Sequence, residues 1–319
     1  MPTTRTNATG AIITGWGSAL PERIVTNDDL AATLDTTDEW ITTRTGIRER
    51  RIGGSTTELS VASARRALEI AGRSPEDIDA LVLATTTPDR LVPASSAGVQ
   101  AQLGLSCGAF DINAACSGFV YALVTGHGLI ALGAERVLVI GTDTLSRITD
   151  WDDRGTAPLF ADGSAAVVLE SAANGGQLLG WDLDADGSAE HFLYAELGGF
   201  IQMDGKEVFR RAVRIMVDSA QKSLSHAGIS ADDLALVVPH QANIRIIEAA
   251  CERLGVTMDR TAITIDRTGN TSSASIPLAL AEALDQGRVR YGDHILLVGF
   301  GAGMTAASAV LRWGGQDHD

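Results

Sequence analysis

The chain has 319 residues, 45% hydrophobic and 20% charged, with 34 glycines: enough to bury a sizeable core and to make many tight turns. Forty acidic residues against 25 lysines and arginines leave a net charge of −15, which argues against non-specific binding of nucleic acid or of an acidic membrane. No run of eighteen apolar residues and no signal-peptide core occur, so a cytoplasmic protein is expected, and three cysteines (Cys107, Cys116, Cys251) without a Cys-x-x-Cys or clustered histidines argue against a metal site or a disulfide scaffold.

Met1 to Thr9 is polar and Gly314 to Asp319 hydrophilic, so disorder is expected only at the two ends. A helix is expected to start near Asp35 to Glu39 with Trp40 as a packing residue, and Arg48 to Arg51 read as a solvated face. From Leu68 an apolar helical pattern ends at Gly72, a Ser-x-x-Asp (Ser74 to Asp77) follows, and a strand comes next. Leu68 to Val82 is echoed without gaps by Leu224 to Val238 at a constant offset of 156, and Leu138 to Gly141 by Leu296 to Gly299. One duplicated unit fits an α/β architecture of two similar halves, 1–175 and 176–319, whose strand ends meet near a pseudo-twofold axis.

Between a strand pattern and a helix pattern, small residues from Ala109 to Phe119 pack Cys116 at a helix N-terminus, where the dipole and unpaired N–H groups favour a thiolate. Alone, this cysteine reads first as a buried structural residue. The run Leu234 to Val238 delivers His240 at a strand end, and the strand-like run Thr261 to Ile265 leads to Asn270 in Gly269-Asn270-Thr271-Ser272-Ser273. Singly, such a histidine is a hydrogen-bonded structural residue and such an asparagine a helix cap. Together, Cys116, His240 and Asn270 are the set that thiol acyl transfer uses. The segment Gly299-Phe300-Gly301-Ala302-Gly303 lacks the spacing and the following acidic residue of a dinucleotide fingerprint, and reads as a tight turn at a close backbone approach.

In order and spacing, Asp111 to Phe119, His240 to Ile246, Gly269 to Pro277 and Gly299 to Thr305 resemble the β-ketoacyl-acyl carrier protein synthase III family of the thiolase superfamily. Asp38 to Arg48 and Asp153 to Thr156 extend the likeness over nearly the whole chain. The resemblance implies a thiolase-like, five-layered α-β-α-β-α sandwich with Cys116 in one half and His240 and Asn270 in the other. It implies decarboxylating condensation of a short acyl-CoA with malonyl-acyl carrier protein, initiating fatty-acid synthesis through an acyl-cysteine, without a cofactor. Neutral His240 and the Asn270 amide would hold the enolate, and the backbone N–H groups of Cys116 and of the glycine-rich turn, at Ala302 and Gly303, would hold the acyl oxyanion.

It further implies CoA contacts at Trp40, Arg44, Arg154 and Arg245, an acyl pocket at Phe160, Leu193, Ile201 and Phe209, and a homodimer in which Val92 reaches the neighbour's pocket. Carrier-protein docking falls to Gln241, Ala242, Asn243, Ile244 and Arg245, with Arg210, Arg211, Arg214 and Arg253 as a basic patch against the global charge. Glu252 stands where the family often has a basic residue. Alternatives on the same fold are a secondary-metabolite synthase or an acyltransferase that does not decarboxylate; from another class, a catalytically silent acyl-CoA-binding protein is disfavoured by the three intact catalytic residue types. A thiolase would use a second cysteine, for which Cys107 and Cys251 lack the context, and elongating synthases use two histidines where this chain has Asn270.

Overall fold

A computed structural model describes residues 10–172 and 177–314. The expected boundary between 175 and 176, and the polar ends at 1–9 and 315–319, lie outside the described residues.

β1 (Gly10–Ala19) leads into a small excursion made of β2 (Ile24–Thr26), α1 (Asn27–Ala31), α2 (Asp38–Thr45) and β3 (Glu49–Arg51), with β2 and β3 paired antiparallel. Then come α3 (Thr56–Ala71), β4 (Ala80–Ala84), α4 (Ser95–Leu103), β5 (Gly108–Ile112), α5 (Gly118–Ala131), β6 (Arg136–Thr144) and β7 (Asp162–Ala172). Their sheet is ordered β1-β7-β6-β4-β5, with β4 parallel to β5 and β6, and β7 antiparallel to β1 and β6.

β8 (Leu178–Ala185) precedes a two-stranded ribbon, β9 (Leu193–Tyr194) and β10 (Gln202–Met203). α6 (Gly205–Ala227), β11 (Leu234–Pro239), α7 (Ile244–Leu254), α8 (Ile265–Thr268), α9 (Ser275–Asp285), β12 (His294–Gly301) and β13 (Thr305–Arg312) follow. The second sheet, β11-β12-β13-β8, repeats the order of the first without a counterpart of β5.

The duplication read from the sequence is visible in local chemistry. α3 and α6 each end at a left-handed glycine, Gly72 (φ 63°) and Gly228 (φ 69°), a conformation that costs glycine nothing. After each, a serine N–H and hydroxyl bond one aspartate oxygen, Ser74 to Asp77 (2.8 and 3.1 Å) and Ser230 to Asp233 (both 2.8 Å), before β4 and β11 begin. A Cβ at Gly15 of β1 would lie 2.1 Å from the Ala67 carbonyl oxygen, and one at Gly180 of β8 would lie 2.2 Å from that of Ser223. Ala67 and Ser223 are equivalent in the repeat, so both halves seat an outer helix on a strand through a bare glycine.

Three cores define five layers. α3 and α4 cover the outer face of the first sheet, and α6 and α7 that of the second. Between the sheets lie α5 and α9, whose Phe119, Leu123, Ile276 and Leu280 pack against Val82 and Val139 on one side and Leu236 and Ile295 on the other. Each such fully buried side chain contributes about 1.5–3 kcal/mol. A helix between two sheets needs apolar residues all round, as α5 has. No helix among the described residues is long and apolar enough to cross a membrane.

Two local expectations are corrected. Thr261 to Ile265 makes only one parallel bridge, from Thr261 to Val237, because the Gln241 side chain takes the place of a ladder: its Oε1 accepts from the N–H groups of Thr264 (2.9 Å) and Ile265 (3.2 Å), and its Nε2 donates to the Ala262 carbonyl (3.1 Å). Arg50 is not on a solvated face but fully buried in β3, donating to the carbonyls of Val25 (3.1 Å) and Pro158 (2.9 Å) and to Asn27 Oδ1 (2.8 Å). Those bonds tie the excursion to the loop that runs beside Asn270.

Candidate active site

Cys116 lies in the single 3₁₀ turn Ala115–Ser117 between β5 and α5. Among the described residues only two non-glycines have positive φ, Ala115 (48°) just before the nucleophile and Ser272 (50°) in the Asn270 turn, and both line one cavity with Cys116. Each such conformation costs about 1–3 kcal/mol and persists only where its surroundings hold it. Gly301 supplies part of that hold: a Cβ there would meet Cys116 N at 2.6 Å and Ala115 Cβ at 2.9 Å. The turn joining β12 to β13 is therefore seated against the Cys116 N–H, with Ala302 in the cavity wall and the Thr305 hydroxyl donating to the Ala114 carbonyl (3.0 Å).

The Cys116 side chain keeps partial exposure, yet burial pushes its thiol up to about 12, with the Ser272 hydroxyl bond pulling weakly the other way. Against the expectation of a thiolate favoured by the helix end, the largest influence on Cys116 is desolvation, which favours the thiol.

His240 follows β11, 1% exposed, its N–H donating to the Val298 carbonyl (2.8 Å). Its Nδ1 is 2.5 Å from Ser275 Oγ, which already accepts the Gln241 N–H (3.3 Å). We assign the serine proton to Nδ1, which leaves Nε2 as the N–H donor of the ring. Burial pushes the imidazole down to about 3, so the ring is neutral at physiological pH.

Asn270 is pinned by two backbone bonds, its N–H to the Leu159 carbonyl and its carbonyl from the Ala161 N–H, both 2.9 Å. Its Oδ1 accepts the Ser272 N–H (2.9 Å), so its Nδ2 is left to donate elsewhere. The cap-like reading of this asparagine holds for the oxygen end of its amide.

Cys116 stands where two cavities meet. One, about 280 Å³, is walled largely by apolar side chains that include Leu145, Ile148, Phe160, Leu193 and Ile201. The other, about 90 Å³, brings Cys116, His240 and Asn270 together with Phe160, Phe209 and Phe300. Through Phe209 and Asn243 it adjoins a surface cleft holding Trp40, Arg44, Arg154, Lys206 and Arg245. The guanidinium carbons of Arg44 and Arg154 each lie 4.5 Å from the Trp40 ring centroid, and that of Arg245 lies 5.5 Å from Phe209. Lys206 was not anticipated; Asp204 capping the helix that opens Gly205-Lys206 is the signal that could have found it.

Other anticipated residues separate. Gln241 is fully buried and bonded internally, so it is absent from the surface. Arg210 pairs with Glu207 (2.6 Å), whereas Arg211 and Arg214 line a different cleft beside Asp182, Asp184 and Asp186. Ala242, Asn243 and Ile244 are half-buried at the start of α7, with Arg253 exposed near its far end. Val92 is 84% exposed and lines none of these cavities.

Residues 110–187 match the family described as 3-oxoacyl-[acyl-carrier-protein (ACP)] synthase III, and residues 224–313 match its C-terminal counterpart. A beta-ketoacyl-[acyl-carrier-protein] synthase III of Roseiflexus castenholzii is 49% identical over 323 residues, covering 95% of this chain and 98% of that protein. The crystal structure of 3-oxoacyl-[acyl-carrier-protein] synthase III from Aquifex aeolicus VF5 superposes with a TM-score of 0.94 at 45% identity, covering 95% and 100% of the two chains. The priming beta-ketosynthase from the R1128 polyketide biosynthetic pathway superposes at 0.91 with 37% identity, covering 95% and 96%.

Proposed function

The chain belongs to the β-ketoacyl-[acyl-carrier-protein] synthase III family, and from that premise we propose that it condenses a short acyl-CoA with malonyl-acyl carrier protein, with loss of CO2, to initiate fatty-acid synthesis. The observation that carries this reading is the convergence of Cys116, a neutral His240 and the Asn270 amide on one cavity beneath a cationic, aromatic mouth. The secondary-metabolite reading has weaker support, since the polyketide-pathway relative shares the least identity of the three.

In the first half-reaction Cys116 sulfur bonds to the acyl carbonyl carbon, the carbon–sulfur bond to CoA breaks, and the cysteine proton leaves on the CoA thiol. The N–H groups of Cys116 and of the Ala302–Gly303 turn face the acyl oxygen as an oxyanion hole. In the second, the malonyl carboxylate leaves as CO2 and its bonding pair moves into an enolate. That enolate bonds to the acyl carbon, the bond to Cys116 breaks, and the thiolate regains a proton from water. His240 Nε2–H and Asn270 Nδ2–H are the donors for the enolate oxygen, each worth about 3–4 kcal/mol in comparable sites. A neutral imidazole suits this role, because its N–H donates a hydrogen bond yet is too weakly acidic to hand its proton to the enolate.

The mouth answers the charge problem. Arg44, Arg154, Lys206 and Arg245 line it, with Asp35 approaching Arg154 only at 3.9 Å, a local field that suits CoA phosphates and an acidic carrier protein in a chain of net charge −15. Trp40 with the guanidinium groups of Arg44 and Arg154 stacked on it gives flat surfaces that suit a nucleobase. A homodimer is part of the same reading: Leu91 and Val92 are 80% and 84% exposed, and β5 ends its sheet as an open edge. The reading places the protein in the cytoplasm. Intact-mass analysis with acyl-CoAs of graded length, followed by labelled malonyl-carrier protein, tests it; no acyl adduct on Cys116, or an adduct without CO2 release, would reject it.

A further inference from the structure

We propose that Asp143 is the positioning residue for both enolate donors, acting through the turn that carries them. The inference rests on the condensation reading above. Asp143 lies on β6 with no exposed surface and pairs with no basic side chain among the described residues. A buried carboxylate in that situation has to be held by hydrogen-bond donors, and seven converge on it.

Five bond Oδ1 from the loop after β4: the hydroxyls of Thr85 (3.1 Å), Thr86 (2.9 Å) and Thr87 (2.9 Å), and the N–H groups of Thr86 (2.7 Å) and Thr87 (3.1 Å). Those fix the carboxylate within its own half of the molecule. Two reach Oδ2 from the other half: the Ser273 N–H (2.9 Å) and hydroxyl (2.7 Å).

Ser273 is the middle of the segment that holds the donors. Three residues before it stands Asn270, its amide turned by the Ser272 N–H; two residues after it stands Ser275, bonded to His240 Nδ1. β6 holds Ser273 a second way, since a Cβ at Gly141 would lie 2.5 Å from the Ser273 carbonyl oxygen. The strained φ of Ser272 needs restraint from its neighbours, and the paired bonds to Asp143 supply it one residue away. Asp143 thereby sets where Asn270 Nδ2 points and, through Ser275, where His240 Nε2 points. Cys116 takes its backbone position instead from Ala115 and Gly301.

The test compares the two half-reactions on the same protein: acylation of Cys116 by intact mass, and labelled CO2 release from malonyl-carrier protein with its KM and kcat. Ser273→Ala, which removes the hydroxyl's bonds to Asp143 Oδ2 and to the Ala84 carbonyl (3.0 Å) and keeps the N–H bond to Asp143, should lower kcat for CO2 release about tenfold, and Asp143→Asn should lower it by about 30- to 100-fold, part of the loss of an oxyanion donor. Acylation and the KM for malonyl-carrier protein should change by no more than about threefold, because Cys116 keeps its backbone contacts at Ala115 and Gly301 and meets this turn through the Ser272 hydroxyl. Thr85→Val removes a donor on the Oδ1 side only, and should leave the ratio of the half-reactions at the wild-type value. Acylation and CO2 release falling in step in Ser273→Ala, or a selective loss in Thr85→Val, would make Asp143 a structural residue and overturn the proposal. If Asp143→Asn does not fold, Ser273→Ala decides alone, since six donors remain on the carboxylate. Wild-type protein that acylates without releasing CO2 rejects the condensation reading itself, and the inference with it.

Discussion

Cys116 has to be a thiolate when it attacks, and burial pushes its thiol up to about 12. Below that value the thiolate fraction grows about tenfold per pH unit, so alkylation of Cys116 by iodoacetamide should rise by about that factor per unit from pH 7 to 10. A plateau beginning below pH 8 would show a stabilised thiolate and contradict this. His240 works in the opposite direction. Its folded value near 3 lies below the unfolded value near 6.5, so the unfolded chain takes up the proton first and stability falls as the pH drops from about 6.5 towards 3. The convergence of Cys116, His240 and Asn270 on one cavity was legible in the sequence, since each stands in a turn after a strand-like run. The protonation of Cys116 was not, because it is set by residues as distant in the chain as Phe160 and Ser272. Gln241 was misread for a similar reason: its partners are backbone groups twenty-odd residues away.

The repeat was legible as an element pattern because its signals are local: a glycine stop, a Ser-x-x-Asp, then a strand. Thr261 to Ile265 was read as a strand from the same kind of pattern, yet a side chain replaces the ladder there, and apolar periodicity does not register that. Arg50 was read as solvated because charge alone does not reveal three carbonyl-type acceptors brought around it by folding. The glycine-rich turn has a sharper consequence. Gly301→Ala would drive a methyl group to 2.6 Å from Cys116 N, so the nucleophile must move. Acylation should fall by about 10²-fold, the order expected for a spoiled oxyanion donor, with the fold retained by circular dichroism. Near-wild-type acylation in this variant would mean that the β12–β13 turn does not set the position of Cys116.

Across the whole molecule, two sheets and three helical layers bring ends of chain segments more than a hundred residues apart onto one cavity. The duplicated architecture was legible, and so were Arg44, Arg154 and Arg245 of the cationic mouth, to which the fold adds Lys206 from a fourth stretch, whereas Arg211 and Arg214 of the expected docking patch lie beside an acidic cleft. Lys206→Ala and Arg245→Ala should each raise the KM for acyl-CoA by about 3- to 10-fold, more steeply in low salt than in high, while Arg214→Ala should not. An equal effect of Arg214→Ala would place the anion site in the cleft beside Asp182 and Asp184 instead. The division of labour across the two halves is tested most directly by measuring Cys116 acylation and labelled CO2 release side by side in wild type, Cys116→Ala and Asn270→Ala. Asn270→Ala should still take up the acyl group while CO2 release falls by about 10²–10³, and Cys116→Ala should lose acylation yet keep some CO2 release. Equal loss of both activities in Asn270→Ala would show that Asn270 shapes the fold of the site and does not hold the enolate.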